Sequence, residues 1–218
     1  MNFITIDFSL NSPGICIFLD NKYHFIGYLK QGTGTKKEQK IQEELNLLED
    51  TQISYQPDWT NNENYSKSEM IKVQRHMHTA NDIINFILEI TKTTKEYVIA
   101  FEGSSYGSSA GTNNIIDMAA GAAILKMEMM SRLEVLDMMT IAPSTIKKHA
   151  GKGNMKKDEL WSKFLENVLN DQELENSSLL GFCKSEIGNV KKIPKPLDDL
   201  VDAYFLNHLA RTLFYPEA

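Results

Sequence analysis

Cysteine is almost missing. Cys16 and Cys183 are the whole complement of a 218-residue chain. Two thiols exclude a disulfide framework and a thiolate zinc cluster, and they read as buried thiols of a reducing compartment. Long apolar runs are missing too, which excludes a membrane-spanning helix. The opening MNFITIDFSL has no basic segment ahead of an apolar one. It does not read as a secretion signal, and the expectation is a cytoplasmic protein. Positive charge is in deficit: 23 Lys and Arg stand against 29 Asp and Glu, a formal net charge of −6. That excludes nucleic-acid binding by bulk charge, though not by a local basic patch. Nucleotide phosphate loops are absent as well. GSSYGSSAGTNN, residues 103–114, is rich in small residues but has no Lys followed by Ser or Thr and no GxGxxG spacing. It reads as a flexible loop beside a carboxylate.

What is present is an α/β pattern long enough for one domain with a full core. FITIDFS, GICIFLD and KYHFIGYLK read as three antiparallel strands joined by Pro13–Gly14 and Asp20–Asn21 turns. Residues 31–69 change character. A charged segment with Ile41, Leu45, Leu47 and Leu48 suggests one amphipathic helix, followed by polar, turn-rich sequence, and the whole reads as an insertion over the core. Residues 70–93 place apolar side chains at 70, 73, 77, 80, 83, 84 and 87, which predicts a helix. His76 and His78 on it read as surface residues. YVIAFE is a buried strand ending in Glu102, IIDMAAGAAILKMEMMSRL a helix and EVLDMMTIA another strand. A short helix, a glycine turn and a longer helix follow. Residues 170–196 read as a second, irregular insertion, and PKPLDDLVDAYFLNHLA opens the last helix.

The informative residues are acids in apolar company. Asp7 lies within the first strand, where burial without a partner is expensive. Glu102 ends the fourth strand. Asp199 and Asp202 are three apart and share a helix face, whereas Asp198 also fits a helix N-terminus, where negative charge is favoured. In a mixed sheet ordered 3-2-1-4-5 the first and fourth strands are neighbours, so Asp7 and Glu102 meet and the last helix crosses them. Four such carboxylates form an oxygen-rich site for two Mg²⁺ or Mn²⁺ ions, the arrangement used for phosphodiester hydrolysis. The basic residues are concentrated in one place. Lys147, Lys148, Lys152, Lys156 and Lys157 fall within eleven residues, around GKGN. Backbone N–H groups and lysines together at a helix start suit a phosphate backbone.

Taken together, IDFSLNSPGICIF, AFE with its loop and AAGAA, KKHAGKGNMKK and DDLVDAYFL resemble the RuvC-type Holliday junction resolvases of the RNase H-like superfamily, in the same order along the chain. The resemblance covers most of the chain outside 31–69 and 170–196, insertions longer than in bacterial members and more like those of phage or viral relatives. It implies a five-stranded RNase H-like domain over residues 1–218. It also implies a Mg²⁺- or Mn²⁺-dependent endonuclease that acts on four-way DNA junctions as a homodimer. The family's metal-binding acids fall on Asp7, Glu102, Asp199 and Asp202, with Asp198 a possible substitute, and its catalytic lysine falls on Lys157. A further basic residue falls near Lys147, and the family's helix glycine on Gly121. At the position of the bacterial aromatic wedge stands Ser105, with Tyr106 beside it. Met127, Met129 and Met130 are the candidate dimer face. A nuclease of forks, flaps or RNA-containing hybrids keeps the same fold and differs in substrate. An actin-like ATPase shares the first aspartate and the meander but needs a second phosphate loop. A cleavage-inactive DNA-binding subunit needs none of the acids.

Overall fold

The computed structural model describes residues 1–59, 65–92, 96–103 and 112–214. In chain order the elements are β1 (Asn2–Asp7), β2 (Gly14–Leu19), β3 (Lys22–Lys30), α1 (Lys36–Leu45), β4 (Thr51–Gln56), α2 (Tyr65–Thr91), β5 (Glu96–Glu102), α3 (Thr112–Arg132), β6 (Glu134–Ile141), α4 (Pro143–Ala150), α5 (Lys157–Leu165), α6 (Gln172–Glu175), α7 (Ser178–Phe182) and α8 (Leu197–Phe214), with a π-helical turn at Cys183–Ile187. They build a six-stranded sheet ordered β4-β3-β2-β1-β5-β6. The expected 3-2-1-4-5 order is present as β3-β2-β1-β5-β6. β1, β2 and β3 form the antiparallel meander, while β1/β5 and β5/β6 are parallel.

Several expectations need correction. The sheet has a sixth strand, β4, parallel to β3 at the edge. Its sequence TQISYQ reads as turn because only Ile53 is strongly apolar, yet an edge strand buries only part of its surface and tolerates polar residues. Thr51, Ile53 and Gln56 are the residues it buries. The segment 170–196 is also more regular than expected. Leu174, Leu179, Leu180 and Cys183 from α6, α7 and the π-helical turn are fully buried in the core. α1, by contrast, ends at Leu45, which leaves Leu47 83% exposed.

Side chains alternate across a strand, and this assigns the two faces. Ile4 and Ile6 of β1, with Ile99 and Phe101 of β5, pack against Ile83, Ile84 and Ile87 of α2 and Leu125 and Met129 of α3. Phe3, Val98 and Ala100 face the other way, onto the core built around α8. Asp7 and Glu102 continue this second series. Ile6 lies opposite Phe101 in register, so the next residues end adjacent strands side by side, toward α8.

α8 is pinned there by buried polar contacts. Thr5 Oγ1 donates to the Ala203 carbonyl at 2.9 Å, and Asn207 Nδ2 donates to the Cys16 carbonyl at 3.2 Å. Buried bonds of this kind are costly to leave unmade, so they fix the helix in one register. At its start, α8 comes so close to β2 that a Cβ on Gly14 would stand 2.4 Å from the Asp199 carbonyl oxygen. On the opposite face, Gly121 of α3 permits an equally close approach. A Cβ there would meet His76 Nδ1 at 2.7 Å and Phe8 at 2.9 Å. His76 is therefore not a surface residue as its sequence position suggests. It is 4% exposed, and its Nε2 lies 2.7 Å from Asp117 Oδ1 of α3. His78 does reach solvent.

Candidate active site

The C-terminal ends of β1 and β5 and the first turns of α8 bring four acids together. Asp7 and Glu102 arrive from the sheet. Asp199 and Asp202 arrive from α8, one turn apart on one face. Their mutual effect is written in their proton affinities. Burial pushes Asp7 well above the usual carboxylate range, and the charges of Glu102, Asp202 and Asp199 push it further, against the pull of Lys157. Burial, then Asp202, raises Glu102 to about 7, with Lys147 and Lys157 pulling it down. Asp202 is raised to about 6, first by burial; Lys157 opposes the shift, and Asp199 and Asp198 add to it. Asp199 is raised by burial and by Asp198, against Lys195 and Ser12. Carboxylates crowded in this way favour a cation between them.

In the structure the nearest cations are lysines. Lys157 Nζ, at the start of α5, is 2.9 Å from Asp198 Oδ2 and 3.4 Å from Asp202 Oδ2. Burial alone would lower its pKa, but Asp202 and Asp198 outweigh that and hold it above the usual lysine value. Lys195 Nζ lies 2.7 Å from both Asp199 oxygens and 3.0 Å from Asp198 Oδ2. Ser12 also donates to Asp199. Asp198 lies in the first turn of α8, where a helix start favours negative charge, and it also receives both ammonium groups. Its Oδ1 is buried with no hydrogen-bond partner among the described residues. Among those residues, no three carboxylate, imidazole or thiolate side chains are disposed to ligate one ion as they stand.

The basic stretch divides. Lys147 on α4 is half-buried, and its charge acts on Glu102. Lys148 and Lys156 are exposed. Lys152 is paired with Glu159 at 2.6 Å. Ser105 and Tyr106 lie outside the described residues. Beside Glu102 a groove of about 470 Å³ opens between α3 and β6, lined by Phe101, Ala119, Ala122, Lys126, Thr140 and Pro143 among others. Lys126 Nζ sits 4.7 Å from the Phe101 ring centre and donates to Thr140 Oγ1 at 3.1 Å.

Sequence reasoning missed Lys195 and Ser12. A signal for the first existed: Lys195 precedes Asp198 and Asp199 by three and four residues. A lysine inside a proline-containing basic segment reads as solvent-facing, and only the bend into α8 turns it onto the acids. Ser12 carried no signal, because its role depends on the contact of the β1–β2 turn with α8.

No protein-family model matches the sequence, and no curated protein matches it. Solved structures do. RuvC of Thermus thermophilus in complex with a Holliday junction substrate is 11% identical, covering 99% of this chain and 94% of that one, with a TM-score of 0.47. A second Thermus thermophilus RuvC structure gives 15% identity, 99% and 95% coverage and a TM-score of 0.46. The yeast mitochondrial Holliday junction resolvase gives 10%, 98% and 80%, with a TM-score of 0.49. At these identities and scores the likeness is one of chain path and extends no further.

Proposed function

We propose that this chain is a divalent-metal-dependent endonuclease, built as one RNase H-like domain with insertions at about 31–69 and 170–196, that cuts branched DNA and resolves four-way junctions by paired nicks as a homodimer. One observation carries the reading: Asp7, Glu102 and Asp202, half-buried, and Asp199, buried, converge and repel one another, with Lys157 beside them. The donor set is all hard oxygen, which suits Mg²⁺ or Mn²⁺ over zinc or copper. The buried, unpartnered Oδ1 of Asp198 shows acceptor capacity beyond what the lysines satisfy. The four acids would hold the ions, with Asp198 placed to share that role.

Two divalent ions in such a site supply the charge that makes phosphodiester hydrolysis possible. The remaining work falls to the chain itself. Lys157 would hold a non-bridging oxygen of the scissile phosphate, where its fixed charge stabilises the transition state. Water adds to phosphorus, and the bond to the 3′-oxygen breaks. Lys147, Lys148, Lys152 and Lys156 would follow the flanking backbone and recognise shape rather than base edges. The groove beside Glu102, with Lys126 in its wall, gives one strand a path past the acids. For the dimer, Met127 and Met130 are 70% and 66% exposed and available, whereas Met129 is fully buried in the core.

The test is cleavage of a synthetic four-way junction with Mg²⁺, beside linear duplex, fork, flap and RNA–DNA hybrid substrates. Junction cleavage that Asp7→Asn abolishes supports the proposal. Preference for forks, flaps or hybrids would keep the nuclease and change its substrate. Junction cleavage unaffected by Asp7→Asn would remove the catalytic assignment.

A further inference from the structure

Lys195 is placed in a way that its role as a mere surface lysine does not explain. Its ammonium group takes both oxygens of Asp199 at 2.7 Å and reaches Asp198 at 3.0 Å. The main chain holding it is fixed from elsewhere: the Lys195 carbonyl accepts from Gln42 Nε2 of α1 at 3.2 Å. Gln42 is fully buried, and its Oε1 receives the Tyr55 hydroxyl of β4 at 3.0 Å. The segment 31–69 thus presents Lys195 to the acids. An ammonium group on both oxygens of a carboxylate occupies two of its lone-pair sites and competes, by charge repulsion, with a divalent cation seeking the same oxygens. Independently, the buried Asp198 Oδ1 has no partner among the described residues. The cluster is still short of positive charge with Lys195 in place.

We propose that Lys195 is a resident counter-cation of this site. It holds Asp198 and Asp199 in position while no divalent cation is bound, and it moves to a phosphate of the nucleic acid when one binds. This rests on the acids being a cation site, as proposed above. The binding of cation and of the phosphodiester backbone is then coupled, because the cation frees the ammonium group that the phosphate receives. Lys195 is a positioning residue in the free protein and a phosphate contact in the complex.

The experiment is a Mn²⁺ titration of DNA-free protein, read by the electron paramagnetic resonance of free Mn²⁺. The variants are Lys195→Met, Lys195→Arg and Asp7→Asn. Removing one competing unit charge, about a third exposed and so partly screened, is expected to tighten Mn²⁺ binding about tenfold in Lys195→Met. Lys195→Arg is expected to stay near wild type. At saturating Mn²⁺, Lys195→Met should raise the junction KM several-fold with a smaller change in kcat, as loss of a phosphate contact would. Circular dichroism checks the fold, and Lys195→Gln serves the same test if the Met variant does not fold. A Lys195→Met protein that binds Mn²⁺ no better than wild type, while Asp7→Asn loses it, would overturn the Lys195 assignment alone. Mn²⁺ binding unchanged in Asp7→Asn would overturn the cation site itself. An unchanged KM would remove the phosphate contact from the proposal.

Discussion

Gly14→Ala is the sharpest single test of how the fold positions the acids. The methyl group would stand 2.4 Å from the Asp199 carbonyl oxygen and 2.5 Å from its carbonyl carbon, against an ordinary contact of 3.4–4 Å. Both obstructing atoms are main chain, so no side chain can rotate away. The first turn of α8 must retreat by about 1 Å, and it is held at its far side by Thr5 and Asn207. Overpacking of this kind costs about 2–3 kcal/mol. In a chain of this length that lowers the melting temperature by about 4–12 °C. Asp199 moves with the helix backbone, and a displacement of that size costs about 100-fold in rate when it misplaces a catalytic group. The assays are thermal denaturation and junction cleavage in parallel. Gly181→Ala is the control: it lies in α7 with nothing within 4 Å of the new methyl, and it is expected to be neutral or slightly stabilising. A Gly14→Ala protein that melts and cuts like wild type would refute the claim that this glycine sets the position of α8.

Three further outcomes are expected. Glu102 has a folded pKa of about 7, above the 4.5 of a free glutamate. The folded state therefore holds more protons between those values, and metal-free stability falls as pH rises through that window. Glu102→Gln should flatten the fall and stabilise the metal-free protein at pH 8 by about 1–3 kcal/mol, measured by urea denaturation across pH. An unchanged pH profile would contradict the crowding of acids described above. Lys157→Ala should lower kcat by about 10²–10³-fold while Mn²⁺ binding is kept or tightened, since this change too removes an ammonium group from the acids, and loss of both activity and binding would make Lys157 a support for the acids instead. Asp117→Ala should cost about 1–3 kcal/mol by leaving buried His76 and neighbouring Arg75 without their carboxylate. Denaturation of the variant checks this, and a cost near zero would mean that water replaces Asp117.

Much of the fold was legible because its strands are strongly patterned. β1, β2, β3 and β5 carry near-continuous apolar sequence between turn residues, and the glycines and Asp20–Asn21 mark their ends. β4 was hidden because a polar edge strand has the composition of a loop. The α2 stripe is helical as its spacing predicts, yet only its second half is buried. Ala80, Ile83, Ile84 and Ile87 enter the core, whereas Met70, Val73 and Met77 are 60%, 45% and 48% exposed. Periodicity reports which residues share a face, not how far along a helix the neighbouring layer extends. His76 was misread for the same reason. Its burial depends on Gly121 and Asp117 of α3, a helix separated from α2 in sequence by β5 but packed against it on the same face of the sheet. The acids could be picked out one by one, since each is an expensive residue at an apolar position. Lys157 could be placed beside them only through the family resemblance, because its contact with α8 is tertiary, whereas Lys195 carried a local signal, three and four residues before Asp198 and Asp199, that its basic, proline-containing surroundings masked.

The arrangement is better explained by function than by stability. Burying carboxylates whose pKa values rise through desolvation and mutual repulsion destabilises the charged folded protein. Apolar residues of similar size at Asp7 and Glu102 would remove that cost. The structure instead commits other features to keeping the acids where they are. Gly14 admits the helix, Thr5 and Asn207 hold it, Ser12 binds Asp199, and Lys157 and Lys195 supply positive charge. The compensation is also incomplete, because Asp7 stays well above the usual carboxylate range despite the opposing charge of Lys157. Negative charge held rigidly and left partly unneutralised at the end of a parallel strand pair is what a site needs if its full complement of cations comes from solution.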